Sequence, residues 1–261
     1  MPDALLLDRL TANLARLRLP YLRDRLEETL ARAERDRYSY LQLLDGLFEE
    51  EVAGKNQRRL EIALRSSGLP YVKSLDEFDF TAQPQLDRRA VLNLFDLTFL
   101  TRQENAFFLG PPGVGKTHLA IALAVKAAQA GYRIYCTTKA DLIAKLHDDR
   151  ENAARGRLRG YFRAALVVVD EVGYTPVTRE DCHLFYQFVA SRYERASTVI
   201  TSNKAFSDWA ELFHDPVLVS AVLDRLLHHS TVINIKGHSY RLRGKLPPLA
   251  EHTPSAHEEA P

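Results

Sequence analysis

The chain has 261 residues, 46% of them hydrophobic, which is enough for one large domain with its own core and a smaller domain beside it. A net charge of only +1 excludes a chain that binds polyanions over its whole surface. Cys136 and Cys182 are too few for a disulfide framework, and neither a secretion signal nor an apolar run of about 18 residues is present. We therefore expect a reduced protein of the cytoplasm.

Residues 1–70 are predicted to form a small helical domain. Apolar side chains recur there at three- and four-residue spacing, in the sets Leu26, Leu30, Ala33 and Leu41, Leu44, Leu47. The run SSGLP at 66–70 marks its end. Residues 1–75 carry 13 basic and 12 acidic side chains. A solvated helical bundle and a docking module for DNA or a partner protein both fit this pattern.

Residues 71–105 are predicted to be a connector with one helix at 86–100. From 106 to 246 apolar strands alternate with amphipathic helices. The predicted strands are 106–109, 132–137, 166–170, 197–202 and 232–235, and the predicted helices are 116–130, 139–149, 179–195 and 216–229. This alternation predicts an α/β fold with a parallel sheet and helices on both faces. The Pro-, Glu-, His- and Ala-rich tail at 247–261 is predicted to be disordered.

A phosphate-binding loop is predicted at 110–117, where GPPGVGKT matches G-x-x-x-x-G-K-[ST] at every position. An apolar strand precedes it and a helix follows, as this motif requires. The predicted contacts to ATP are Gly110, Pro111, Pro112, Gly113, Val114, Gly115, Lys116 and Thr117. Glycines allow the backbone N–H groups to approach a triphosphate closely, Lys116 can reach the β and γ phosphates, and the Thr117 hydroxyl can bind Mg²⁺.

Two acids end the apolar strand LVVVDE at 166–171. Ligands of open parallel sheets bind at the carboxyl ends of the strands, so we expect Asp170 beside the phosphate loop, holding the Mg²⁺ ion together with Thr117. Glu171 is then placed to activate a water molecule. The pair favours ATP hydrolysis over phosphoryl transfer to a small molecule, because a small-molecule kinase does not need the adjacent glutamate as a base.

Three further polar positions follow along the chain. Asn203 ends the strand TVITSN and is expected to orient water near the γ phosphate. Arg225 lies on a predicted helix and is expected to reach the γ phosphate of a neighbouring subunit; a surface ion pair with Asp224 is the alternative. His228 and His229 are adjacent, which would place them on different faces of a helix, so we predict no metal other than Mg²⁺.

Positive charge is concentrated in two stretches. Residues 133–163 contain eight basic and four acidic residues, and residues 225–245 contain five basic residues and no acid. Such clusters bind phosphate backbones by releasing counterions. The predicted DNA contacts are Lys139, Lys145, Arg155, Arg157 and Arg159. Neutralisation of acidic surfaces, on this chain or on a neighbouring subunit, is the alternative explanation.

Three segments of the second half resemble the IstB family of insertion-sequence ATPases. They are DEVGYTPVTRED at 170–181, RYERASTVITSN at 192–203, and DPVLVSAVLDRLLHHSTVINIKGHSYRLRGK at 215–245. The likeness extends from about Leu10 to Lys245 and includes FDF at 78–80. The family is related to the helicase loaders DnaC and DnaI.

The resemblance implies an AAA+ core behind a small helical domain. Proteins of the family assemble on duplex DNA in an ATP-dependent manner and recruit an IstA-type transposase. The resemblance also implies that the segment at about 139–163 touches DNA and that no helical lid follows Ile235. By the same resemblance, Arg225 is the arginine finger and Asn203 is the sensor. Arg241 is a weaker candidate for the role of a lid-borne sensor arginine.

The sequence analysis thus predicts a Mg²⁺-dependent ATPase that forms homo-oligomers on duplex DNA for transposition. A DnaC-like replicative helicase loader would share nearly all of the ATPase residues and would differ in residues 1–70. A small-molecule kinase would need a substrate pocket and a lid. A catalytically inactive nucleic-acid scaffold would not need Lys116, Asp170 and Glu171 together.

Overall fold

The computed structural model describes residues 2–151, 160–174, 177–213 and 215–242. The chain divides into two compact units, residues 1–66 and residues 67–261. The segment 71–105, expected as a connector, therefore belongs to the second unit. The expected tail at 247–261 lies outside the described residues.

The first unit contains three helices: α1 (Pro2–Arg16), α2 (Pro20–Arg35) and α3 (Tyr40–Ser66). Its core is a small cluster formed by Leu14, Leu22, Leu26 and Leu47. On the 27-residue helix α3, Leu47 and Glu51 are the buried residues. Much apolar surface of this helix remains exposed, including Leu41, Leu44 and Phe48.

A buried carboxylate caps the start of α2. Leu19 precedes the helix and offers no side-chain oxygen to its first N–H groups. Glu51, only 3% exposed, accepts a 2.8 Å hydrogen bond from the backbone N–H of Leu22 instead. Lys55 Nζ lies 3.1 Å from the other carboxylate oxygen. A negative charge at a helix N-terminus is favourable, so Glu51 fixes α2 against α3.

The second unit contains eight helices and five strands within the described residues. In chain order they are α4 (Arg88–Phe95), α5 (Thr98–Thr101), β1 (Asn105–Leu109), α6 (Lys116–Gln129), β2 (Ile134–Thr138), α7 (Lys139–Glu151), α8 (Gly160–Arg163), β3 (Leu166–Asp170), α9 (Arg179–Arg192), β4 (Ser197–Ser202), α10 (Trp209–Phe213), α11 (Pro216–Leu227) and β5 (Ser230–Asn234). The helix predicted at 86–100 is two helices, because Leu97 adopts a left-handed backbone with φ of 60°.

The five strands form one parallel sheet in the order β2-β3-β4-β1-β5. Every residue of β1 and of β4 is buried, as expected for central strands covered on both faces. The predicted α/β fold with a parallel sheet is confirmed. Because β1 lies between β4 and β5, the loop that follows it emerges between the ends of these two strands.

Helices α7, α9, α10 and α11 contribute to the main apolar core against the sheet. An aromatic group fills its centre: Trp209, Phe185, Phe188 and Phe213 are each at most 1% exposed. Thr178 and Asp181 form a reciprocal capping box at the start of α9, and the Asp215 carboxylate caps α11. Among the described helices, none is long and apolar enough to cross a lipid bilayer.

Candidate nucleotide site

The loop at 110–115 connects β1 to α6 in a conformation that requires glycine. Gly110, Gly113 and Gly115 have φ of 148°, 82° and 100°. A Cβ atom on Gly115 would lie 2.5 Å from the ring of Phe78, and one on Gly110 would lie 2.2 Å from the carbonyl oxygen of Ile235. The loop therefore presents bare backbone at the N-terminus of α6, where N–H groups and the helix dipole attract anions.

Lys116 is held inside this loop. Its Nζ donates a 2.7 Å hydrogen bond to the carbonyl oxygen of Pro111, and the residue is 6% exposed. Burial lowers the pKa of Lys116; the negative charge of Asp170 opposes that effect, and the positive charge of Arg241 adds to it. An anion in the loop would supply the counter-charge that the buried ammonium group needs.

Three oxygen-bearing side chains meet where β3 and β4 end. The Thr117 hydroxyl donates a 3.0 Å hydrogen bond to Asp170 Oδ1, and the Thr201 hydroxyl donates a short hydrogen bond to the same oxygen. The predicted proximity of Asp170 and Thr117 is thus present in the structure. Carboxylate and hydroxyl oxygens are hard ligands suited to Mg²⁺, so the residues fit the predicted ion.

Glu171 leaves the strand in an unusual direction. Its φ of 61° lies in the left-handed region, and its backbone N–H donates a 3.1 Å hydrogen bond to Thr201 Oγ1. A non-glycine residue in this region is strained by about 1–3 kcal/mol and is often found at active sites. The turn leaves Glu171 exposed on the wall of the same cavity as Lys116, Thr117 and Asp170.

The cavity, of about 230 Å³, has several walls that the sequence patterns did not assign to it. Besides the phosphate loop it is lined by Tyr71, Phe78, His118, Tyr174, Thr201 and Tyr240, and by Arg241, the residue named above as a weaker sensor candidate. The rings of Phe78 and His118 contact edge to face, with centroids 5.4 Å apart. Tyr240 N–H donates a 2.9 Å hydrogen bond to the carbonyl oxygen of Gly113, so the segment after β5 lies against the phosphate loop.

Asn203 does not line this cavity. Its Oδ1 is buried and has no hydrogen-bond partner among the described residues. Asn203 packs so closely on Gly173 that a Cβ atom added to Gly173 would lie 2.0 Å from this oxygen. Gly173 is two residues beyond Glu171. Asn203 therefore contacts the loop that carries the predicted base, and its role as a sensor stays a prediction.

Arg225 also lies outside the cavity. Its Nη1 donates a 3.0 Å hydrogen bond to the carbonyl oxygen of Ala221, and its guanidinium lies 4.9 Å from the ring centroid of Tyr186. Among the described residues, no carboxylate lies within ion-pair distance of Arg225, so the alternative of an ion pair with Asp224 is not observed.

The structure corrects one predicted DNA contact. Lys139 is 1% exposed, and its Nζ lies 5.8 Å from the ring centroid of Phe213 in the core. Such a buried side chain is not available to an external phosphate backbone, so Lys139 is not a DNA contact in this conformation. Lys145 is half-buried over the ring of Tyr135. Arg155, Arg157 and Arg159 lie outside the described residues.

The expectation that His228 and His229 point apart was wrong. Both residues follow the end of α11 at Leu227. His228 keeps a helical backbone with φ of −50° and ψ of −47°, and the two ring centroids nevertheless lie 4.0 Å apart. Glu194 Oε1 is 4.0 Å from a nitrogen of each ring. The three groups are exposed, and together they could hold a metal ion.

Comparison with known proteins identifies the family. The model of the IstB-like ATP binding protein family matches residues 12–247. The chain belongs to this family. It is 47% identical over 233 residues to a Pseudomonas aeruginosa protein named for insertion sequence IS21 and for ATP binding, covering 89% of this chain and 88% of that one. A Geobacillus stearothermophilus protein named for IS5376 is 43% identical, with 88% and 92% covered.

Solved structures support the AAA+ P-loop fold of this IstB-like chain. The structure of DnaI aligns with a TM-score of 0.51 at 17% identity, covering 62% of this chain and 90% of that one. A DNA replication initiation factor aligns with the same TM-score at 19% identity, covering 62% and 49%. At these identities the likeness concerns the fold alone.

Proposed function

We propose that this IstB-like protein is a Mg²⁺-dependent ATPase that assembles on duplex DNA and recruits the transposase of its insertion sequence. The observation that carries the proposal is the cluster of Thr117, Asp170 and Thr201 beside the phosphate loop, with Glu171 exposed on the same cavity wall. Membership of a family of insertion-sequence ATP-binding proteins favours transposition over helicase loading.

Each part of the cluster has a separate task in ATP binding. Backbone N–H groups of the glycine loop and the N-terminus of α6 hold the phosphates, and Lys116 exchanges its bond to Pro111 for a phosphate oxygen. Thr117 and Asp170 would hold Mg²⁺, which neutralises charge that develops on the phosphates. Thr201 keeps the Asp170 carboxylate directed at the ion.

Hydrolysis requires a base that is free to contact water. Asp170 is occupied by two hydroxyl groups, whereas Glu171 is exposed beyond the end of β3. The left-handed turn separates the tasks of these neighbours: the first carboxylate faces the ion and the second orients and deprotonates water. Asn203, packed on Gly173, would sense movement of the Glu171 loop.

Arg225 has the features of a group that acts on another subunit. Arg225 lies outside its own cavity and has no carboxylate partner in the described part of the chain, so its charge is available to a neighbouring nucleotide. An arginine inserted at the γ phosphate stabilises the transition state. ATP bound between two subunits would then hold an oligomer together, and hydrolysis would release it.

The test is sedimentation of Glu171→Gln with duplex DNA, with and without ATP. Removal of the base should trap the ATP-bound state, so large complexes should form on DNA only with ATP. Glu171→Gln/Arg225→Ala should bind ATP yet fail to assemble. Glu180→Gln is a matched control, because Glu180 is exposed and pairs with Arg150 on the surface.

Two outcomes would contradict the proposal. If Glu171→Gln binds ATP and remains monomeric with DNA, the assembly mechanism fails and helicase loading becomes the better explanation. If Arg225→Ala assembles as well as its parent, Arg225 does not bridge subunits.

A further inference from the structure

A concave basic surface lies at the edge of the sheet opposite the phosphate loop. Strands β2, β3 and β4 begin in register, because Ile134 pairs with Leu166 and Leu166 pairs with Ser197. The residues just before these strands therefore lie side by side. They line an open concavity of about 690 Å³, with Arg133, Phe162, Arg163, Ala164, Ala165, Ser191, Arg192, Arg195 and Ala196 on its walls. We call these residues the N-edge groove.

Three arginines of the N-edge groove are exposed and without partners. The side chains of Arg133, Arg163 and Arg195 make no hydrogen bond or ion pair to the described part of the chain, and no acidic residue is among the described lining residues. The nearest acid in sequence, Glu194, lies beside His228 and His229.

A fourth arginine adds a fixed charge beneath the groove. Arg192 is 3% exposed, and it donates hydrogen bonds to the carbonyl oxygens of Tyr161, Ala164 and Ser197 and to the Thr198 hydroxyl. Burial lowers its pKa to about 10, which leaves the guanidinium charged at neutral pH. All of these acceptors are neutral, so the charge of Arg192 is not cancelled within the described chain and raises the potential of the groove.

We propose that the N-edge groove binds the phosphate backbone of duplex DNA, through Arg133, Arg163 and Arg195. The inference rests on the proposed DNA-dependent function and adds a contact surface to it. Guanidinium groups form paired hydrogen bonds with phosphate oxygens, and the open shape admits a backbone that passes across the surface. Backbone contacts carry no base information, so binding here is independent of sequence.

The groove lies on a rigid support. Arg192 ties the carbonyl groups of α8 and of the segment before β3 to the start of β4, through the four hydrogen bonds described above. Arg133 and Arg163 stand next to β2 and β3, joined there by the 2.8 Å hydrogen bond from Ala165 N–H to the carbonyl oxygen of Arg133. The backbone positions from which the three exposed arginine side chains extend are thus fixed, so binding does not have to order the backbone of the groove.

The test measures duplex affinity against salt concentration for Arg133→Ala/Arg163→Ala/Arg195→Ala, with ATP present. The control Arg88→Ala/Arg89→Ala/Lys126→Ala removes the same charge from exposed positions on α4 and α6. The groove variant should lose about tenfold or more in affinity, and its slope of log K against log salt should shrink by roughly 0.9 per lost contact. The control should keep the slope of the unmodified chain.

The outcomes separate the two proposals. If the unmodified chain does not retain duplex DNA, the proposed function fails and this inference with it. If the chain binds duplex DNA and the groove variant keeps its affinity and slope, the groove inference alone fails, and an acidic protein partner becomes the better occupant. Thermal unfolding checks the fold of the triple variant, and the single change Arg195→Ala should show a smaller shift in the same direction.

Discussion

Thr117 and Asp170, 53 positions apart in the chain, are joined by a 3.0 Å hydrogen bond between Oγ1 and Oδ1. Thr117 is the second residue of α6 and Asp170 is the last residue of β3, so the bond ties the helix after the phosphate loop to the strand that leads to Glu171. The two side chains that we propose as magnesium ligands are therefore held together by a hydrogen bond of their own. Such preorganisation reduces the cost of forming the metal site.

Thr201 should prove necessary for this arrangement. Its hydroxyl contacts both the Asp170 carboxylate and the Glu171 N–H, and the residue is 1% exposed. We expect Thr201→Val to raise the Mg²⁺ concentration for half-maximal ATP hydrolysis about tenfold to a hundredfold. The reason is that a hydrogen bond to a metal-binding carboxylate, such as the one from Thr201 to Asp170, orients that carboxylate toward the ion. Steady-state ATPase rates in a Mg²⁺ titration measure this.

The matched control is Thr231→Val on β5, where no side-chain hydrogen bond is recorded among the described residues. It should leave the Mg²⁺ dependence unchanged. An identical Mg²⁺ titration for Thr201→Val and the parent chain would show that Thr201 does not support the metal site.

Alanine substitutions at two glycines of α3 should change the stability of the first unit in opposite directions. A Cβ on Gly46 meets nothing within 4 Å, so Gly46→Ala should stabilise the first unit by about 0.5–1 kcal/mol through helix propensity. A Cβ on Gly54 would lie 2.4 Å from the Tyr21 ring, so Gly54→Ala should cost about 1–3 kcal/mol by overpacking. Hydrogen exchange of α2 and α3 amides in the full chain measures both. Equal effects of the two changes would mean that Tyr21 does not pack on α3 as described.

Asp181 should give the protein part of its acid sensitivity. Burial acts to raise its pKa, but hydrogen bonds from His147 and from Thr178 outweigh burial and hold the pKa of Asp181 below its usual range. A depressed folded-state pKa contributes stability that is present above the unfolded pKa of about 3.9 and is lost as pH falls through the folded value.

Asp181→Asn should therefore lower Tm at pH 7, and its difference from the parent chain should narrow as the pH falls below about 3.9. Thermal unfolding between pH 7 and pH 3 measures this convergence. Asp96→Asn, at an exposed position at the end of α4, should follow the parent curve throughout. A constant Tm difference between Asp181→Asn and the parent at every pH would contradict the assigned pKa direction.

The local sequence pattern was sufficient to predict the parallel sheet, the phosphate loop and the two acids beside it. Strands 166–170 and 197–202 were predicted at their observed bounds, because buried parallel strands are short continuous apolar runs. The phosphate loop and the acids Asp170 and Glu171 were found from spacing alone. These features depend on neighbours within a few residues of the chain.

The remaining features depend on contacts between distant segments. Lys139 is polar in sequence and was expected at the surface, but it meets Phe213 from α10. Phe78 and Tyr240 reach the cavity from opposite ends of the second unit. Thr201 could have been found, since it lies at the carboxyl end of a strand next to β3 where ligands bind. Arg195 gave no signal before the order and register of β2, β3 and β4 placed it in the same groove as Arg133.

The hydrogen bond from Tyr240 to Gly113 has a consequence for synthesis of the chain. Strand β1, which leads into the phosphate loop, lies between β4 and β5, and both of these are made after it. The loop gains the last of its described neighbours only after β5 and Tyr240 have been made. A chain terminated before β5 would carry an intact GPPGVGKT motif and lack the wall that Tyr240 forms, so it should bind nucleotide less tightly than the full chain.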